Sequence, residues 1–172
     1  EADDDPALPG MWVDLAEIYL EGPYPGTAGS HVEVDIDYEA LGNSNPPVGG
    51  PHWGARCGET PAESPAFCGP APWGIFQDEW DPETLVHNME HGGVVLWYNT
   101  SDEDLIDEVK AIILARLDDN LLVMAPYSGM ENETIAITSW SRIDKFPVDE
   151  YDAGRVERFI DVHARRFNPE GF

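Results

Sequence analysis

Two histidines, His87 and His91, lie four residues apart in a segment that begins with Asp81-Pro82 and ends at Gly92. These flanking residues are typical of the start and the end of a helix of about three turns. On such a helix the two imidazoles share one face with Cβ atoms ~5–6 Å apart, which is close enough to bind one ion. The alternative is that both are polar residues near a helix C-terminus, where a protonated imidazole interacts favourably with the helix dipole. We predict that both are metal ligands.

The other histidines and one methionine are further candidates. His52 ends the Gly/Pro-rich segment 45–52, whose restricted backbone could hold a third imidazole, and we predict it as a ligand. Met130, in a loop between two predicted strands, is predicted as a fourth ligand; the alternative is that it fills a gap in the core. His31 flanks an acidic stretch and is either a further ligand or a solvated residue, whereas His163 is expected to pack within the last helix.

The side-chain types of this set favour a transition metal. Three imidazoles suit zinc or copper, and a thioether tilts the choice toward copper because methionine sulfur is a soft ligand. We therefore predict a copper-binding protein that stores copper, delivers it or uses it for electron transfer, with zinc as the alternative ion.

Two other functions stay open. The segment His87-Asn-Met-Glu90-His91 matches the H-x-x-E-H pattern of inverted zincins, in which Glu90 is the general base and a distant carboxylate, nominally Glu157, is the third zinc ligand. Its helix ends at once at Gly92 before a predicted buried strand, which leaves little room for a substrate cleft. The third function is an extracellular adhesion or assembly module whose histidines are structural.

Several features indicate an exported protein. Cys57 and Cys68 are separated by ten residues, a spacing that suits a loop-closing disulfide better than a CxxC motif. Asn99 and Asn132 each begin an Asn-x-Ser/Thr glycosylation sequon. The chain begins at Glu1 rather than Met, which favours removal of a signal or anchor. We expect an extracellular, cell-surface or periplasmic location.

The charge of the chain restricts its partners. Against 34 Asp and Glu there are 9 Lys and Arg, a formal net charge of −25. Nucleic acids and anionic membrane surfaces are therefore excluded as expected partners, which leaves a metal ion and a protein that receives it. So much self-repulsion is relieved by salt, because the screening length falls to roughly 3 Å at about 1 M, so we expect a high-salt environment.

The elements that position these residues form one mixed domain. We predict a flexible acidic lead-in with a short helix over residues 1–30, and a single α+β domain over residues 31–172. Its mixed, mostly antiparallel sheet carries helices on one face and a long Gly/Pro-rich loop pinned by the disulfide. The predicted strands are Val32–Tyr38, Gly93–Tyr98, Leu121–Ala125 and Thr134–Ser141; a capping box at Ser101–Asp104 opens a second helix, and a last helix from about Ala153 buries Val156, Phe159, Ile160 and Phe167.

Four motifs together carry a resemblance to a known family. They are Asn45-Pro-Pro-Val-Gly-Gly-Pro-His52, Val86-His-Asn-Met-Glu-His-Gly92 with the strand after it, Ala125-Pro-Tyr-Ser-Gly-Met130, and Ala136-Ile-Thr-Ser-Trp140. Over about residues 31–170 the chain resembles domain-of-unknown-function family 3105, although Val48, Gly49 and Met89 replace the residues that are usual there. The resemblance implies that His31, His52, His87, His91 and Met130 are motif positions of an exported metal site, and it implies no particular activity.

Overall fold

A six-stranded mixed sheet organises the part of the chain that the structure, a computed structural model, describes: residues 4–25 and 29–166. The strands are β1 (Met11–Trp12), β2 (Gly74–Ile75), β3 (Val94–Asn99), β4 (Leu122–Pro126), β5 (Thr134–Ser139) and β6 (Arg142–Pro147). Their order across the sheet is β1-β6-β5-β3-β4-β2. Neighbours from β1 to β3 are antiparallel, while β3-β4 and β4-β2 are parallel. The helices are α1 (Leu15–Ile18), α2 (Pro82–Glu90), α3 (Glu103–Leu114) and α4 (Ala153–His163).

Alternate strand residues pack against different layers on the two faces of the sheet. On one face, Leu96 and Met124 pack in a cluster with residues of α3 and α4. On the other face, Val95 and Trp97 pack in a second cluster with α1, α2 and the long loop. The prediction of an α+β fold with a mixed, mostly antiparallel sheet is confirmed. α3 and α4 form the helix layer of one face, and α2 lies on the opposite face with the loop.

The predicted strand from Val32 to Tyr38 is wrong. Backbone pairing is confined to the start of this segment, at the isolated bridge between His31 and His52, where Val32 N donates to the His52 carbonyl at 2.8 Å. Main-chain groups beyond the bridge are bound by side chains rather than by a strand. Trp53 Nε1 donates to the Val34 carbonyl at 2.7 Å, and Glu83 Oε1 of α2 accepts from Ile36 N at 2.7 Å. Val34 is 47% exposed, so the alternating apolar pattern does not mark one buried face.

Most other predicted elements are present with shifted ends. The helix after β3 is capped by Asp102, whose side chain accepts from Leu105 N, rather than opened from Ser101. β6 was not predicted, because Thr134–Ser141 was interpreted as a single strand before the last helix. Phe167, predicted to be buried by that helix, lies outside the described residues. None of the described helices combines the length and the apolar character needed to cross a bilayer.

The predicted disulfide between Cys57 and Cys68 is present, with Cα atoms 5.0 Å apart. It closes a loop whose two stems are also joined by their backbones. Ala55 N donates to the Phe67 carbonyl at 3.1 Å, and Gly69 N donates to the Ala55 carbonyl at 2.7 Å. The disulfide and these hydrogen bonds bring the residues after His52 against the residues before α2.

Candidate metal centre

α2 is buried from Glu83 to Glu90, although many of its side chains are polar. These side chains bind main-chain atoms of the long loop. Glu83 Oε1 accepts from Ile36 N at 2.7 Å, and Asn88 bonds both the N–H and the carbonyl of Ala71 at 3.0 and 2.9 Å. Buried polar groups are retained when they are hydrogen-bonded in this way. The helix therefore holds the loop at fixed points along its length.

Four side chains converge beside the C-terminal half of α2. One ligand atom each from His31, His52, His87 and Glu90 lie within 4.8 Å of one another. The ring centroids of the three histidines are 4.7–5.1 Å apart. His31 and His52 are bridge partners in the loop, while His87 and Glu90 are three residues apart on α2. His52, His87 and Glu90 are buried, and His31 is exposed.

A main-chain hydrogen bond fixes the orientation of His52. Its Nδ1 lies 2.8 Å from the Gly50 carbonyl oxygen, which can only accept, so Nδ1 carries the proton. In the neutral ring Nε2 is then the unprotonated nitrogen, with its lone pair directed toward the group. Metal-binding histidines show this arrangement, in which the second ring nitrogen donates to a carbonyl or a carboxylate.

His87 is held in the same way. Its Nδ1 donates to the Trp53 carbonyl at 2.6 Å, which again leaves Nε2 as the acceptor in the neutral ring. Burial lowers the pKa of His87 against the opposing effect of the Trp53 hydrogen bond, and together with the neighbouring histidines it brings this pKa to about 4. The imidazole is therefore neutral near pH 7, which is the state that binds a metal ion. A side chain at Gly69 would destroy this contact, because its Cβ would lie 2.5 Å from the Trp53 oxygen and 3.0 Å from His87 Nδ1.

The contact between His52 and Glu90 lacks the character of a hydrogen bond. His52 Nε2 and Glu90 Oε2 are 2.9 Å apart, and both side chains are almost fully buried. Yet neither atom has a hydrogen-bond partner within the described residues. Two buried acceptors that face each other cost free energy unless something positive lies between them.

A metal ion fits this donor set. A tetrahedral ion with metal–nitrogen distances of ~2.1 Å needs ligand atoms roughly 3.4 Å apart, so side-chain adjustments of about 1 Å bring the group to that geometry. His31 lies at the exposed side of the group, where it can move most easily. Its ring packs on Gly54, where an added Cβ would come within 2.7 Å of it. The arrangement offers three imidazole nitrogens and one carboxylate oxygen.

The structure separates the other two predicted ligands from this group. The His91 ring stacks on that of His87 at 4.9 Å, but His91 offers no atom to the group of four within the described residues. Met130 is 4% exposed in the core, and its carbonyl accepts from Asn99 Nδ2 at 2.7 Å. Met130 therefore lies at the end of β3, where Asn99 binds it, whereas His91 lies just before the start of β3. The length of the strand places these two points roughly 17 Å apart. As ligands, His91 and Met130 stay predictions from the sequence.

The carboxylate suggested as third ligand of an inverted zincin lies elsewhere. Glu157 belongs to α4, on the opposite face of the sheet, and its carboxylate is 3.7 Å from Arg116. Glu90, the suggested general base, belongs to the group itself. If the site is hydrolytic, its ligands are therefore different from those of the H-x-x-E-H pattern.

Glu90 is not among the ligands predicted from the sequence, in which its only suggested role is that of a general base, and His31 is predicted as either a ligand or a solvated residue. A signal for Glu90 was available, because residues three apart on a helix are neighbours just as residues four apart are. The pair of α2 side chains that joins the group in the structure is His87 with Glu90 rather than His87 with His91. No signal in the sequence shows that His31 pairs with His52, since that bridge joins segments of irregular loop.

The two glycosylation sequons lie close together. Asn99 is partly buried, and its Nδ2 donates to the Met130 carbonyl and to Asn132 Oδ1, at 2.7 and 3.3 Å. Asn132 is exposed. Glycosylation at either residue stays a prediction.

Comparison with known proteins gives a family match. A family model described as "Protein of unknown function (DUF3105)" matches residues 31–171. No curated protein and no solved structure matches the chain. The matched range includes all four residues of the group.

Proposed function

The chain belongs to the DUF3105 family, and from the geometry of its histidine group we propose that it is a transition-metal-binding protein. One observation carries the proposal: the buried atoms His52 Nε2 and Glu90 Oε2 face each other 2.9 Å apart without a hydrogen bond. The Nδ1 atoms of His52 and His87 both bind main-chain carbonyls, which leaves Nε2 of each ring for a ligand, and the ligand atoms of the group lie within 4.8 Å of one another. A positive ion at that position turns an unfavourable contact into a binding site.

Copper is the ion that we propose, in its divalent state. For a given set of nitrogen and oxygen ligands, divalent first-row metals bind in an order that peaks at copper, ahead of zinc. The carboxylate of Glu90 favours a divalent ion over the softer Cu(I), for which a thioether would be the preferred ligand. Zinc is the alternative ion for the same four side chains.

We further propose that the protein works outside the cytoplasm, where it stores copper or delivers it to a partner protein. The disulfide between Cys57 and Cys68 supports this location, because such bonds persist in oxidising compartments. The net charge of −25 supports a metal ion as the cargo, since a negative surface favours cations as ligands.

The test is metal reconstitution of the full chain. After exhaustive chelation, the protein is titrated with Cu(II) and Zn(II), and bound metal is measured by elemental analysis and calorimetry. We expect one ion per chain with Cu(II) bound more tightly, and loss of binding in the His52→Ala and His87→Ala variants. His163→Gln is the control, because His163 Nε2 lies 2.8 Å from the Pro9 carbonyl on the other side of the sheet. Failure of both ions to bind more tightly than micromolar would overturn the proposal.

Two further variants test the residues that lie outside the group. His91→Ala and Met130→Leu are expected to retain the bound ion, because neither residue offers an atom to the group of four in the described structure. Loss of copper in Met130→Leu, with the fold intact by circular dichroism, would restore the thioether as a ligand and favour Cu(I).

A zinc hydrolase is the second candidate, and the exposure of His31 is the observation that favours it. A substrate or a water molecule could reach an ion from that side, as an open position requires. In this alternative the three histidines hold the ion and Glu90 acts as the general base. Hydrolysis of ester or peptide substrates that depends on zinc and disappears in Glu90→Gln would support this candidate over metal delivery.

A further inference from the structure

A cavity lies on the same side of the sheet as the histidine group and outside it. It has a volume of about 370 Å³ and opens between the disulfide-closed loop and the start of α2. The residues that matter for its chemistry are Asp35, Trp53, Phe67, Trp80, Asp81 and Thr84. None of the four side chains of the histidine group lines it.

Aromatic rings form the walls of the cavity. Trp53 and Phe67 meet edge to face, with ring centroids 5.2 Å apart. Trp80 is 3% exposed and packs edge to face on Phe76 at 5.4 Å. The indole Nε1 of Trp80 has no hydrogen-bond partner within the described residues. Other hydrogen bonds hold the lining residues in place. Trp53 Nε1 donates to the Val34 carbonyl at 2.7 Å, and Thr84 Oγ1 donates to the Cys68 carbonyl at 2.7 Å.

The charged part of the lining is negative. Asp35 and Asp81 line the cavity and are exposed, and neither forms an ion pair with Lys or Arg in the described ranges. Asp81 occupies the N-cap position of α2, but its side chain makes no capping hydrogen bond. Its pKa is raised by partial burial and by the nearby carboxylates of Asp35 and Glu79. No Lys or Arg belongs to the lining of this cavity.

We propose that this cavity binds a small organic cation of the alkylammonium class. The faces of Trp and Phe rings attract cations through their quadrupoles, and desolvated ammonium groups gain most from this contact. The two carboxylates supply the opposite charge that such an ion needs, and they repel anions. The volume suits a headgroup such as that of choline.

The cation cavity is independent of the proposed metal function. It borders the metal centre through Trp53, whose side chain lines the cavity and whose carbonyl binds His87 Nδ1. On α2, Thr84 lines the cavity one turn before His87. Since different atoms serve the two sites, organic cations are expected to bind with or without metal, and either site can fail without the other.

The experiment compares two ligands of the same shape. Choline and its neutral isostere 3,3-dimethylbutan-1-ol are titrated calorimetrically into the full chain in molar NaCl, which screens non-specific attraction by the net charge. We expect choline to bind at one site, at least tenfold more tightly than the alcohol, in metal-free and metal-loaded protein. Equal binding of both ligands, or no binding of choline, would overturn the proposal.

Variants locate the binding. The Asp35→Asn/Asp81→Asn double variant is expected to lose tenfold or more in choline affinity with its fold retained, because Asn is as good an N-cap residue as Asp. Asp104→Asn/Asp107→Asn removes the same charge from exposed positions of α3, on the other face of the sheet, and is expected to bind choline as the unmodified chain does. An equal loss in both double variants would show attraction by overall charge and would contradict a built site.

Discussion

Replacing Glu90 by glutamine distinguishes a metal site from a structural ion pair between His52 and Glu90. A metal site predicts that the substitution stabilises the metal-free protein, whereas an ion pair predicts that it destabilises the protein. In the metal-free protein, His52 Nε2 and Glu90 Oε2 are buried acceptors 2.9 Å apart without a hydrogen bond. Each unsatisfied buried group costs about 1–3 kcal/mol. In Glu90→Gln the amide can donate to His52 Nε2, so we expect the free energy of unfolding of the metal-free protein to rise by roughly 1–3 kcal/mol.

The same substitution weakens the metal site. The glutamine amide cannot supply the negative charge of the carboxylate, so we expect the affinity for Cu(II) to fall about 100-fold or more, which corresponds to roughly 2.7 kcal/mol. The gain in stability of the metal-free variant is measured separately, by thermal unfolding of chelated protein. Its midpoint should be higher by ~2–4 °C for each kcal/mol gained in a chain of this size. Competition titrations against a chelator of known affinity measure the loss of copper binding.

The matched control is Glu83→Gln on the same helix. Glu83 is 5% exposed and Glu90 is 2% exposed, but Glu83 Oε1 already accepts from Ile36 N at 2.7 Å. A glutamine oxygen can accept the same hydrogen bond, so copper affinity should not change. A loss of ~3–5 kcal/mol in the metal-free Glu90→Gln variant, as is typical of breaking a buried ion pair, would contradict the assignment of a metal site. His52 would then be a protonated partner of Glu90, and the group would be structural.

The loop, the surroundings of His87 and the net charge of the chain can each be tested separately. Replacing both cysteines of the Cys57–Cys68 disulfide by serine should lower copper affinity about 10–100-fold, because the loop stems orient His87; unchanged affinity in competition titrations would contradict this. Gly69→Ala should lower copper affinity, since its Cβ would meet the contact that holds His87, whereas Gly154→Ala should not, and the same titrations compare them. Because the pKa of His87 is lowered in the folded chain, the unfolded chain binds this proton more readily than the folded chain does. Stability of the metal-free chain should therefore fall as the pH drops from 6.5 to about 4, by on the order of 3 kcal/mol more than in His87→Gln, in denaturant titrations. Finally, the melting temperature should rise from dilute buffer to molar NaCl, as the net charge of −25 demands, and equal values would contradict a high-salt adaptation.

The sequence was most informative where local rules decide structure. The bounds of α2 follow from Asp81-Pro82 and from Gly92, which takes a positive φ of 84° just past the helix end. The buried run after it becomes β3 because no polar residue interrupts it. His52 and His87 were selected from their residue type and surroundings, and the structure brings them together.

Long-range pairing was not predictable in the same way. The alternating pattern of Val32–Tyr38 is ordinarily a strand signal, but Glu83 and Trp53 bind main-chain groups in this region that a neighbouring strand would have bound. Spacing on α2 allows His87 to pair with either Glu90 or His91, and only the long-range contact with the His52 ring selects Glu90. These contacts join residues far apart in the chain, so no local pattern encodes them.

The polar side chains of α2 bind the long loop through its main chain, and this has a consequence for how the molecule can change. His87, Thr84 and Glu83 contact a carbonyl or an N–H, so most substitutions on the loop leave these contacts available. Only the few close approaches, such as those at Gly54 and Gly69, restrict which residue can stand there. The outer surface of the loop is therefore free to diversify while the imidazoles beneath it keep their positions. Different members of such a lineage could carry different cavities over one unchanged group of histidines.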